Sequence, residues 1–228
     1  MIESINMLIQ KIFKYVSWRV SRKVSRILQI ASLEKKFYKN QTVLDQFFSE
    51  MRINGSSVAL DIGSGPKPRN PFNASVIRGA DLRENITNGV VFADLATGIL
   101  PFESNTFDFV TAHDVLEHIQ RVAIVDGETR FPFISLMNEI FRVLKPGAIF
   151  FNIQPCYPSK QVFQDPTHVN IMSEDTIYNY FCEPAWARMY GYDGSFEMLK
   201  DGWLEYKYFS FFKKSANYPI RDVMIIPK

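Results

Sequence analysis

Two glycines and three acidic residues in the first half of the chain stand where a nucleoside-bearing ligand would need them. Val58-Ala-Leu-Asp61-Ile is a short apolar run of the kind that makes a buried strand, and it passes directly into Gly63-Ser64-Gly65. Asp81 closes the next run, in Gly-Ala-Asp81-Leu82, and Asp94 the one after, in Val-Val-Phe-Ala-Asp94-Leu95. Three successive strands thus bring glycine-rich backbone or a carboxylate to one edge of a sheet. In an open parallel sheet the carboxyl ends of the strands are where ligands bind. The ligand implied is an adenosine-bearing cofactor. All three histidines, His113, His118 and His168, fall in segments expected at the same edge. An imidazole can take up a proton near neutral pH, so these are the candidate bases.

The glycine turn narrows the cofactor. A dinucleotide site would place a third glycine at the start of a helix whose N-terminus faces a pyrophosphate. Here the run continues Pro66-Lys-Pro68, then Asn70-Pro71, and proline biases its predecessor away from helical angles. A helix directly after the turn is not expected, which argues against a nicotinamide-dependent oxidoreductase. A cofactor without phosphate needs no such helix.

Taken in order, these blocks resemble the class I S-adenosylmethionine-dependent methyltransferases. Phe107-Asp-Phe-Val-Thr-Ala112-His113-Asp-Val-Leu-Glu117-His118-Ile looks like that family's fourth strand and the turn after it. Asn138-Glu-Ile-Phe-Arg-Val-Leu-Lys-Pro-Gly147, followed by Ala-Ile-Phe-Phe-Asn-Ile, looks like its next helix and fifth strand. The resemblance covers roughly residues 56 to 155. It implies a Rossmann-like α/β fold: a mostly parallel seven-stranded sheet with an antiparallel C-terminal edge pair and N-terminal helices.

The resemblance also implies roles. Asp61, Gly63, Ser64 and Gly65 would shape the turn that lets backbone approach the methionine part of S-adenosylmethionine. Asp81, with Leu82 beside it, would bind the ribose hydroxyls. Asp94 and Leu95 would flank the adenine, and Ala112 and His113 would wall the sulfonium. Each acid has a plainer reading, Asp81 as a turn former and Asp94 as a helix N-cap. In Gln164-Asp165-Pro-Thr-His168-Val, His168 is the preferred base, with Asp165 orienting its ring or binding an acceptor hydroxyl. His113 is the second catalytic candidate, and Glu117-His118 is given a pocket-supporting role. The Asp-Pro-Thr-His segment also resembles one in methyltransferases of glycan and surface-polysaccharide pathways. No metal is expected, since no ligand spacing such as His-x-x-x-His supports a site from Asp165, His168 and His113. The Asn/Asp-Pro-Pro-Tyr/Phe run of nucleobase-methylating enzymes is replaced by Ala112-His-Asp-Val, which favours oxygen as the acceptor atom.

At 228 residues and 46% hydrophobic, the chain is long enough for one substantial core. Its organisation reads as an N-terminal helical extension over 1–54 and a methyltransferase domain over 55–228. Two cysteines, Cys156 and Cys182, encode no disulfide framework, and no secretory signal is evident, so a cytoplasmic location is expected. Ile5, Ile9, Ile12, Val16, Val20, Val24 and Ile27 form one stripe of a basic amphipathic helix over 2–30. Residues 1–30 carry six basic side chains and one acidic, while the whole chain is only +2. The stripe suits packing on its own core, docking to a protein partner, or an anionic membrane surface, peripheral on the inner membrane. Charges interrupt it too often for a membrane span. Since the remaining chain is net acidic, a nucleic-acid partner is not expected. The partners expected are a small-molecule or glycan acceptor; the competing function is a non-catalytic docking protein on the same fold.

Further expectations concern the rest of the sheet. Helix-like stretches should alternate with the strands from Asn54 onward, residues 120–130 should contain a loop, and Trp203–Phe212 with Arg221–Ile226 should make the edge pair. The aromatic side chains Tyr178, Tyr180, Phe181, Trp186, Tyr190, Tyr192, Phe196 and Trp203 either wall an acceptor pocket or fill the core.

Overall fold

The computed structural model describes residues 41–53 and 55–215. The expected basic helix over 2–30 and the strand over 221–226 lie outside the described residues. So does Asn54. Seven strands make one sheet: β1 (Val58–Ile62), β2 (Val76–Asp81), β3 (Val90–Phe92), β4 (Phe107–His113), β7 (Leu144–Pro155), β8 (Phe196–Leu204) and β9 (Lys207–Lys214), in the order β3-β2-β1-β4-β7-β9-β8. The first five run parallel, and β9 and β8 add antiparallel to the β7 edge. This is the mostly parallel sheet with an antiparallel edge pair that the sequence leads one to expect.

The alternation of side chains along each strand divides the core in two. Leu60, Ile62, Val110, Ala112, Phe150 and Phe212 face a cluster completed by α2 (Pro132–Val143) and α3 (Glu174–Phe181). Proline at the first helical position of α2 starts that helix with an orphan donor already absent. Ala59, Phe109, Phe151, Phe209 and Phe211 face the other way, against Leu44 and Phe48 of α1 (Gln41–Glu50). This helix, read from sequence as part of the extension, is packed into the sheet domain.

Three expectations are corrected. The connections from β2 to β4 hold no α-helix, only short 3-10 turns at Ile86–Asn88 and Leu95–Thr97, each ended by a glycine in the left-handed region; the connection after β1 has none either, as its prolines lead one to expect. Residues 123–130 form a small hairpin, β5 (Ala123–Val125) and β6 (Glu128–Arg130), around Asp126-Gly127. Both turn residues have positive φ, 53° and 78°, the arrangement that matches strand twist in a two-residue hairpin. Trp203–Phe212, expected as one strand, is divided: the chain reverses at Glu205 (φ 52°) and Tyr206, and the edge pair described is β8 with β9.

Where a helix would follow β1, a single aromatic side chain covers the sheet. Phe72 is 1% exposed, stacks on Phe109 at 4.2 Å with planes 11° apart, and meets Phe48 of α1 edge-on at 5.0 Å. Phe72→Ala should therefore cost about 3–5 kcal/mol, the range for emptying a buried phenylalanine site. Urea unfolding would read it; a loss below about 1 kcal/mol would mean the loop repacks without it.

Candidate active site

The parallel registers bring the ends of β1, β2, β4 and β7 level. Ile62 lies between Ala80 and Ala112, and Ala112 beside Asn152, so Gly63, Asp81, His113 and Pro155 emerge along one edge. Asp61, the last acid of the central strand, is fully buried. One carboxylate oxygen accepts the Thr111 hydroxyl at 2.8 Å from β4; the other accepts the Arg69 backbone N–H at 2.8 Å. Burial pushes its pKa above the ordinary carboxylate range against the pull of those donors and of the Arg69 guanidinium, 4.0 Å away. The connection after the glycine turn is thereby tied back onto the strand it leaves.

Within that loop Gly63 and Gly65 both sit at φ +61°. A side chain on Gly63 would collide with Val115, its Cβ only 1.8 Å from Cγ2. A Cβ on Gly65 would meet nothing within 4 Å, so open space lies above it. The Gly65 N–H donates to Asp81 Oδ2 at 2.8 Å, and Asp81 Oδ1 accepts from the Arg83 N–H at 3.1 Å. Ser64 is buried, with its hydroxyl turned under the loop onto the Gly65 carbonyl at 2.9 Å. Leu82 is exposed beside Asp81. Asp94 caps the 3-10 turn after β3 by accepting the Ala96 N–H at 3.0 Å, and Leu95 is buried in the core behind it.

The second part of the site comes from two segments far apart in sequence. The turn after β4, Leu116–His118, meets the loop over 165–171 through a backbone staple: the Glu117 carbonyl accepts both the Val169 and Asn170 N–H groups at 2.9 Å. The Asn170 side chain donates to the Leu116 carbonyl at 3.0 Å and accepts from Arg121 at 2.6 Å. Arg121 also donates to the Ile171 carbonyl. Held this way, the His118 and His168 rings stand 4.9 Å apart, edge to face, and His168 Nε2 lies 3.9 Å from Glu117 Oε1.

Each expected catalytic residue has a definite environment. His168 directs Nδ1 to the Val162 carbonyl at 3.0 Å. A carbonyl only accepts, so Nδ1 carries the hydrogen and, in the neutral ring, Nε2 holds the lone pair. Asp165 does not touch that ring. Its carboxylate accepts the Thr167 N–H and hydroxyl at 2.8 and 2.7 Å, which hold its pKa below the ordinary value. His113, at the end of β4, packs against Phe151 at 5.3 Å, and its buried Nε2 has no hydrogen-bond partner. Burial, then the Arg69 charge, lowers its pKa to about 4, so it is uncharged at neutral pH and a weak proton acceptor. Beside it Asp114, at φ 55°, pairs with Lys207 of β9.

Glu117 is the residue whose importance the sequence understates. It is fully buried, neither carboxylate oxygen meets a donor from another residue, and burial pushes its pKa up to about 8. The one available signal was its place between the strand end and His118. His168, beside it, lines an open cleft of about 440 Å³ with Pro155, Gln161, Gln164, Asp165 and Tyr206. Of the aromatic side chains in the C-terminal third, Phe181, Tyr192, Phe196 and Trp203 are core, while Tyr180 and Tyr190 line a separate cavity of about 270 Å³.

His113 sets a pH dependence. Its folded pKa lies below the ordinary 6.5, so folding is opposed once the unfolded chain takes up a proton there. Stability should fall as pH drops from about 6.5 toward 4, with no further loss from this group below that. Replacing it in His113→Gln should remove about 2 kcal/mol of the difference between pH 7 and pH 5. Urea titrations of both proteins at the two pH values check this; parallel curves would show that the imidazole is solvated.

Comparison with known proteins agrees with the fold. Residues 72–152 match the profile of a family described as a methyltransferase domain. A demethylmenaquinone methyltransferase of Staphylococcus saprophyticus is 26% identical over 161 residues, covering 64% of this chain and 63% of that protein. The chain thus matches less than two thirds of that relative's length. Among solved structures, the PH0226 protein of Pyrococcus horikoshii superposes with a TM-score of 0.51 at 15% identity, over 82% of this chain and 91% of that one. An S-adenosylmethionine-dependent methyltransferase of Aquifex aeolicus gives 0.50 at 14% identity, over 82% and 97%. The chain has the class I methyltransferase fold, and its residues 72–152 are the stretch that matches the methyltransferase domain family.

Proposed function

We propose that the protein transfers a methyl group from S-adenosylmethionine to an oxygen of a sugar or comparable small polar acceptor. The observation that carries this is the bond from the Gly65 N–H to the Asp81 carboxylate, at the carboxyl edge of the sheet, beneath open space over Gly65.

The residues present fit the cofactor that such a fold implies. S-adenosylmethionine has no phosphate, and no helix N-terminus follows the glycine turn. It needs backbone without side chains, which Gly65 provides, and a carboxylate for its ribose diol. Each Asp81 oxygen accepts one backbone N–H and keeps further acceptor capacity. When bound, the cofactor would supply a methyl on a sulfonium sulfur, for an acceptor oxygen to bond its carbon as the C–S bond breaks with its electron pair left on sulfur; the acceptor's proton must then be taken away. His113, uncharged at neutral pH, adds no repulsion near a sulfonium. His168, whose Nε2 holds the lone pair, lines the cleft with Gln161, Gln164 and Tyr206, whose polar groups suit a hydroxyl-rich acceptor. The chemistry asked of the protein is therefore positioning and proton removal.

Calorimetric titration with S-adenosylmethionine and S-adenosylhomocysteine should show one site, with NAD giving no heat. Asp81→Ala should weaken that binding by roughly 1.5–3 kcal/mol, about 10- to 100-fold, the cost of losing a charged hydrogen-bonding partner. A folded protein that binds neither ligand would overturn the reading.

A further inference from the structure

We propose that Glu117, His118 and His168 form a binding site for one divalent first-row transition cation, zinc, cobalt or manganese, whose remaining positions open toward an acceptor oxygen. The sequence shows no ligand spacing for this, because the third member stands 50 residues beyond the second. The fold assembles it. One ligand atom from each of the three side chains falls within 4.8 Å of the other two. Nitrogen and oxygen ligands sit about 2.0–2.2 Å from such a cation, so opposed ligands are at most about 4 Å apart. Side-chain movements of under about 1 Å would close the three onto an ion.

A second observation points to a ligand. Glu117 is fully buried, and both its oxygens lack a donor from any other residue. A buried carboxylate without a partner is costly unless it holds a proton or something positively charged meets it. The side chain that reaches it is His168, through Nε2 at 3.9 Å, too long for a hydrogen bond but suited to a shared ion.

The third observation is how the two rings are held. His168 Nδ1 donates to the Val162 carbonyl at 3.0 Å, and His118 Nδ1 lies 3.2 Å from the Thr167 carbonyl, an acceptor only. Each backbone carbonyl fixes the tautomer that leaves Nε2 unprotonated. This is the outer-shell arrangement that orients ligating histidines. Two imidazoles and one carboxylate favour zinc, cobalt or manganese over calcium and magnesium, which prefer oxygen donors.

Three protein ligands leave positions open, the mark of a site that binds a reactant. Of the three, His168 lines the cleft shared with Gln161, Gln164 and Tyr206, from which a reactant would reach the ion. A cation there would polarise an acceptor hydroxyl and favour its ionisation. It would also occupy the Nε2 lone pair, so His168 would act as a ligand in place of a base. For the acceptor this inference rests on the methyl-transfer reading; for the cation it does not.

The test is titration of chelator-treated, full-length protein with cobalt(II), read by its d–d absorption and by calorimetry. One equivalent should bind, and zinc should displace it. Glu117→Gln, His118→Asn and His168→Asn should each weaken binding by more than about tenfold. His118 is partly exposed and bonds only Thr167, so His118→Asn is the variant whose folding is least at risk, checked by its unfolding midpoint. No cobalt binding by the native chain, or unchanged affinity in a folded His118→Asn, would overturn the site. Titrating the same metal-free samples with S-adenosylmethionine separates the two readings. Donor binding without cobalt binding removes only the cation site; cobalt binding without donor binding removes only the methyl-transfer reading.

Discussion

The carboxylate of Asp61 is the constraint on which the ligand edge depends. It sits at the centre of the sheet, out of water, where an uncompensated charge would be prohibitive. Its two donors come from different places: Thr111 on the neighbouring strand and the Arg69 backbone beyond the glycine turn. Satisfying the carboxylate therefore fixes the return of the loop and its height above β4 together. The loop in turn places the Gly65 N–H on Asp81, one strand over. A chain with an apolar residue at 61 would keep the strand but lose the reason for the loop to come back. Phe72 completes the same device, since the loop that Asp61 draws in carries the ring that covers Phe109.

A different principle builds the other half of the edge. The turn at Leu116–His118 and the loop over 165–171 share no sheet pairing, so their meeting depends on unsatisfied backbone groups finding each other. The Glu117 carbonyl takes two N–H groups, and Asn170, itself fully buried, bonds the Leu116 carbonyl and Arg121. Once those backbones are locked, Glu117 has little freedom to swing to solvent. Its burial follows from the staple, and its lack of a donor follows from its burial. Packing alone would have favoured a leucine there.

These two mechanisms explain what was legible in the sequence. The strands could be read because alternating or continuous apolar runs ended in acids and glycines at regular intervals, and the prolines at 66, 68 and 71 showed that no helix would follow β1. The N-cap reading of Asp94 was equally available, since short acidic residues before a tight turn have that local use. The Glu117, His118 and His168 cluster was not legible. Its members are joined by hydrogen bonds of backbone groups, and backbone groups leave no residue-type signature. Trp203–Phe212 read as one unbroken strand for a related reason: Glu205 adopts a left-handed conformation that its residue type does not announce. Asp126-Gly127 did announce itself, being a favoured hairpin dipeptide, and a reading weighted toward turn chemistry would have found β5 and β6.

The charges along the edge show why a cationic ligand suits it. Arg69 stands near Asp61, and Lys207 is paired with Asp114. His113 contributes nothing, because burial and the nearby Arg69 keep it neutral. Two acidic side chains at the edge take no hydrogen bond from a cationic side chain: Asp81, whose oxygens are met only by backbone N–H groups, and Glu117, met by none from another residue and raised by burial to a pKa of about 8, so that a cation there would displace its proton. A sulfonium or a metal ion would find both. The two carboxylates belong to different halves of the edge, one organised by Asp61 and the other by the Glu117 carbonyl, so the edge has room for a positive charge in each half, with His113 at the strand end between the two turns.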